Sequence, residues 1–221
     1  MNDRRSAMGV LLVVLLALAP RAAASQEPRL TVLSGIYRAQ VEAILDSARA
    51  RDLPVEPLVD RALEGASKGA DGERIVGAVR RLYGELAVAR DALGVRSRGA
   101  EIVSGASALR AGASAGDLRR LRELRGDQSL TVAAAVLADL VAVGVPADTA
   151  IAAVLALAEV VDDAEYIAFR QSVERDIALG ASPTAALGVR LGSGAAGDAL
   201  LQSPAEGPNV PGEQRPRERK P

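Results

Sequence analysis

Histidine and cysteine are both missing from the 221 residues. Their absence removes the usual zinc sites, imidazole acid–base chemistry and the Ser-His-Asp and Cys-His nucleophilic machineries. It also removes disulfides and any thiol that could carry a lipid. Lysine is nearly missing. Lys68 and Lys220 are the only side-chain amines, one at an expected helix end and one in an expected tail. Tryptophan is absent, Phe169 is the single phenylalanine, and the tyrosines stop at Tyr37, Tyr83 and Tyr166. So few flat faces leave little on which a sugar or a base can stack. Charge of one sign is lacking as well, since 27 basic and 28 acidic side chains leave a net −1 and no general pull toward nucleic acid. An enzyme built on this chain would run on carboxylates, tyrosine or arginine, and nothing in the composition calls for a cofactor.

What is present begins with a charged head and a greasy run. Arg4 and Arg5 precede an apolar stretch from Met8 to Ala19, Pro20 breaks it, and Ala22-Ala23-Ala24 follows. This is the build of a secretory signal peptide over residues 1–24, with cleavage expected between Ala24 and Ser25. A spanning helix needs about 20 apolar residues, and Pro20 and Arg21 cut the run short of that. The expected address is periplasmic or secreted. Arg4, Arg5 and Arg21 against Asp3 give the leader +2, so the remaining chain carries −3.

After a short linker over 25–29, a recurring corner organises the chain to residue 192. The instances are Asp52-Leu53-Pro54, Gly69-Ala70-Asp71, Gly112-Ala113-Ser114, Gly144-Val145-Pro146 and Gly180-Ala181-Ser182-Pro183. In each, a left-handed residue ends a helix, an apolar residue folds back onto its last turn, and a cap or proline opens the next helix. Softer breaks fall near Gly94–Arg98, Gly126–Ser129 and Asp162–Asp163. Between the corners, apolar residues recur at three and four, as in Tyr37, Val41, Ile44, Leu45 and Ala48, or Tyr166, Ile167, Phe169, Val173 and Ile177. Ser114 with Asp117 and Asp162 with Glu165 read as acidic capping boxes. No stretch alternates with period two. The expected fold is all-α over 30–192, with seven to nine short helices. They form a compact bundle or a short irregular α-solenoid, the uneven corner spacing favouring the bundle. Residues 130–143 and 146–161, apolar nearly all round, are the expected buried centre.

From Ser193 the glycines and prolines multiply, and 193–221 reads as a disordered tail. Residues 192–197 spell G-x-G-x-x-G, but a helix precedes the string and a proline-rich segment follows it. It therefore lacks the strand-to-helix setting that phosphate binding needs.

The remaining motifs are charge patterns. Glu64 and Lys68 stand four apart, the spacing of an exposed helix pair. The string Glu64-Gly65-Ala66-Ser67-Lys68-Gly69, followed by Ile75 and Val76, resembles one in uncharacterised exported bacterial all-helical proteins. The resemblance extends over about residues 50–95 and brings no activity with it. Asp139, the lone charge between Leu130 and Val143, is expected at a face edge, partly solvated or paired with an arginine. Asp162, Asp163 and Glu165 lack the glycine-centred loop of a calcium site and are expected to cap a helix. From Arg90 to Arg125 eight arginines meet four acids, while from Gly126 to Asp176 nine acids meet two arginines. This asymmetry is expected to be mainly internal. Arg110, Arg119, Arg120, Arg122 and Arg125 are nonetheless the candidate basic patch for docking.

These observations favour a non-catalytic exported scaffold or adaptor that contacts another envelope protein or an anionic membrane surface. A carrier of an apolar small molecule inside the helices is the second reading, and a carboxylate-based hydrolase the third.

Overall fold

The corners set the architecture. The computed structural model describes residues 27–192, so the leader, the Ala24–Ser25 bond and the 193–221 tail lie outside the described residues. At the corners, Asp52, Gly69, Gly112, Gly144 and Gly180 all take positive φ, as do Gly94 and Gly126 at the softer breaks. The next residue then bonds back five positions: Leu53 N–H to Ala48 O, Ala70 to Gly65, Ala113 to Ala108, Val145 to Leu140 and Ala181 to Asp176, each at 2.9–3.0 Å. This is the Schellman closure, with the apolar residue tucked under the helix it ends. Leu53, Ala113 and Val145 are buried there.

The helices so delimited are α1 (Gly35–Ala50), α2 (Glu56–Ser67), α3 (Gly72–Leu93), α4 (Gly99–Arg110), α5 (Ala115–Arg125), α6 (Thr131–Ala142), α7 (Ala147–Leu157), α8 (Asp163–Ala178) and α9 (Pro183–Gly192). A short 3-10 helix, Pro28–Val32, precedes them, and no strand occurs among the described residues. Both acidic capping boxes form: Asp117 N–H donates to Ser114 Oγ and Ser114 N–H to Asp117, and Asp162 and Glu165 do the same reciprocally.

Packing runs mainly between helices one or two apart in the chain. α1, α3, α5, α7 and α9 touch in series, α4, α6 and α8 do likewise, and α3·α4, α6·α7 and α8·α9 join the two rows. This is a compact two-layer stack of helical hairpins, within the all-α fold of short helices expected from the sequence. The physical reason is the tight corner, which reverses the chain after every helix and leaves only nearby helices within reach. One core runs through the stack from Leu30 to Leu187. α6 lies at its centre, burying Ala133, Ala134, Val136, Leu137 and Leu140. Ile167, placed by periodicity on an apolar stripe, is instead 39% exposed, because α8 turns Tyr166 and Val173 inward. No described helix is long and apolar enough to cross a membrane.

Candidate functional site

At one end of the stack, the last turn of α5 meets the first turns of α4, α6 and α8, and the candidate arginines divide there. α5 turns Leu118, Leu121 and Arg125 inward at helical spacing, so Arg125 falls on the apolar face and is only 4% exposed. Its guanidinium donates to Ser129 O (3.2 Å), Val161 O (3.2 Å) and Asp163 Oδ1 (2.7 Å), and lies 5.3 Å from the centre of the Tyr166 ring. Tyr166 is fully buried and donates its hydroxyl to Val154 O at 2.7 Å. Burial pushes its phenol up to about 12, although the neighbouring Arg125 opposes the shift.

Arg122 is held beside it. It donates to Glu101 Oε1 (2.7 Å) and to the carbonyls of Gly126 and Gln128 (3.0 Å each), while its buried Nε finds no partner. Glu101, 4% exposed, also accepts from the backbone N–H groups of Arg98 (2.8 Å) and Leu130 (3.0 Å). Burial alone would raise its carboxyl, but those two N–H groups and the Arg122 guanidinium together hold it below the ordinary carboxylate range. The result is an ionised, saturated carboxylate that neither donates nor accepts a proton near neutral pH. Sequence reasoning missed Glu101, whose only signal is its place at the third position of an apolar helix. Of the candidate docking residues, Arg125 is thus buried and Arg122 half-buried, and both clasp loop ends together. Arg125–Asp163 and Arg96–Asp127 (3.4 Å) also join the basic and acidic segments directly.

The other three arginines face outward. Arg110 pairs with Glu85 across α4 and α3 at 2.7 Å, Arg120 with Glu123 at 3.3 Å, and Arg119 is exposed. Asp139 is half-exposed, 3.6 Å from Arg170. Asp162 and Glu165 cap α8 while Asp163 turns to Arg125, so these three acids do not converge. No group of three acids able to hold a metal ion occurs among the described residues.

A second feature lies along α3. α2 leans on α3, with Gly65 so near Ile75 that a Cβ there would stand 2.8 Å from Ile75 Cγ1. α2 stands off from α4, and an open groove follows the gap. Beside it, where α2 meets α3, a recess of about 610 Å³ has small residues (Gly65, Ala70, Gly77 and Ala78) in its lining and Arg61, Lys68, Arg74 and Arg81 around it. Farther along, Leu82 and Leu86 lie between Pro57 and Asp60 on α2 and Val103 and Ser107 on α4. Glu64 is shared by Lys68 (2.6 Å) and Arg61 (3.0 Å), which draw its carboxyl below the usual range, the Lys68 hydrogen bond foremost. Asp71 caps α3 through Arg74 N–H. Arg74, Arg80 and Arg81 are exposed and form no ion pair among the described residues. No protein-family model, curated protein or solved structure matches the chain.

Proposed function

We propose that the chain is a non-catalytic, exported helical scaffold or adaptor, and that the groove along α3 receives an acidic segment of a partner protein. One observation carries this reading: Arg74 and Arg81, seven residues apart on one face of α3, line the recess of about 610 Å³ and form no ion pair among the described residues. Of the three carboxylates in that lining, Glu64 is engaged by two cations and Asp71 by a helix cap, which leaves Glu73 against four cations. Leu82 and Leu86 are only 8% and 0% exposed, so the groove offers little apolar area and binding rests on charge. Such binding weakens with salt.

Affinity capture from envelope extract tests it, using the wild type and the Arg74→Glu/Arg81→Glu variant at about 50 and 300 mM salt. The expected result is a discrete protein retained by the wild type at low salt, and lost both at high salt and with the variant. Retention of the same protein by the variant, or nothing above background, overturns the proposal.

A further inference from the structure

Among the described residues the stack ends at α9, whose exposed side is mainly apolar. A stacked helical array needs a capping last unit with a polar exterior. Here the corner before α9 presents Leu179, 81% exposed, and α9 itself presents Val189, 61% exposed. The two border a groove of about 250 Å³, completed by Ala181, Ala185, Ala186 and Asp176. Asp176 adds little polarity, because Arg190 clamps both its carboxylate oxygens at 2.7 Å. The patch is therefore apolar, exposed and one turn away from Gly192, where the described chain stops.

The sequence continues for 29 residues beyond Gly192, and within them Leu200 and Leu201 are the only leucines. Eight residues of extended chain span up to about 26 Å, more than the roughly 15 Å length of ten-residue α9. That tether is long enough to carry Leu200 and Leu201 back along the length of α9. A second copy of the chain is a poorer fit, since a stable dimer buries about 800 Å² per partner and only six residues line this groove. A tethered segment needs no such area, because a short linker supplies an effective concentration of about millimolar. We infer that residues 195–201 fold back onto the α8–α9 groove, seat Leu200 and Leu201 against Leu179 and Val189, and serve as the missing cap of the stack.

The absence of native cysteine makes a clean test possible. Val189→Cys is introduced into the full chain, with and without Leu200→Ser/Leu201→Ser, and its rate of alkylation by neutral iodoacetamide is measured. Val95→Cys, at a site 82% exposed and outside the groove, is the control. In the otherwise native chain, the Val189→Cys thiol reacts about tenfold more slowly than the Val95→Cys thiol, at a rate independent of protein concentration. The Leu200→Ser/Leu201→Ser change removes that protection and leaves the Val95→Cys rate unaltered. Equal rates at the two sites overturn the inference, as does protection that survives the serine pair. Protection that grows with protein concentration assigns the groove to a second copy and overturns it equally.

Discussion

Arg125 and Glu101 show how far a single residue's role depends on what surrounds it. Both are charged, both are 4% exposed, and each is satisfied by backbone groups from a different loop as well as by an opposite charge. Removing one partner of a buried pair leaves the other charge uncompensated, a cost of about 3 kcal/mol. Glu101→Gln is expected to destabilise the fold by about that much at pH 7. The pH dependence follows from the depressed carboxyl. Because Glu101 is held lower in the folded chain than its ordinary 4.5, its contribution is complete above that value and fades as pH falls through the folded one. Urea midpoints of wild type and Glu101→Gln should therefore converge below about pH 4.5. A gap that stays constant down to pH 3 would mean that only shape was lost. The buried role of Arg125 was legible in its spacing from Leu118 and Leu121, but the surrounding run of arginines disguised it.

At the scale of the element, local rules prevailed. Corner residues, fold-back bonds and both capping boxes stand where the sequence placed them, because each is decided within about six residues of chain. Helix proximity is less local. Gly72, the first residue of α3, lies under the ring of Tyr37 from α1, where a Cβ would collide with the aromatic carbons. Gly72→Ala is thus expected to cost about 1–3 kcal/mol despite alanine's better helix propensity. Adding Gly72→Ala to a Tyr37→Ala background should cost much less, a coupling that thermal unfolding of the four chains measures. If Gly72→Ala alone is neutral or stabilising, the close α1–α3 contact does not limit stability. Nothing in the sequence pairs Gly72 with Tyr37, since 35 residues separate them.

For the whole molecule, the serial contact pattern means that the stack has two ends and a side groove, and the surfaces proposed for binding lie there. Leu179 and Val189 lie at the α9 end, and Arg74 and Arg81 line the recess between α2 and α3. The role proposed for these surfaces presumes export, which N-terminal sequencing of the protein recovered from the cell envelope or medium checks. A mature chain starting at Ser25 is expected, and an intact Met1 would contradict it.

The sequence by itself determined the all-α class, the corners, the caps and the excluded chemistries, because composition, helical periodicity and Schellman closure act over short stretches of chain. Only the tertiary structure decided that the hairpins stack in two layers, that Arg125 turns inward onto Asp163, and that Glu101 anchors Arg122. Burial, pairing and the gap between α2 and α4 come from helices distant in sequence packing around a shared core, and no local pattern encodes those distances.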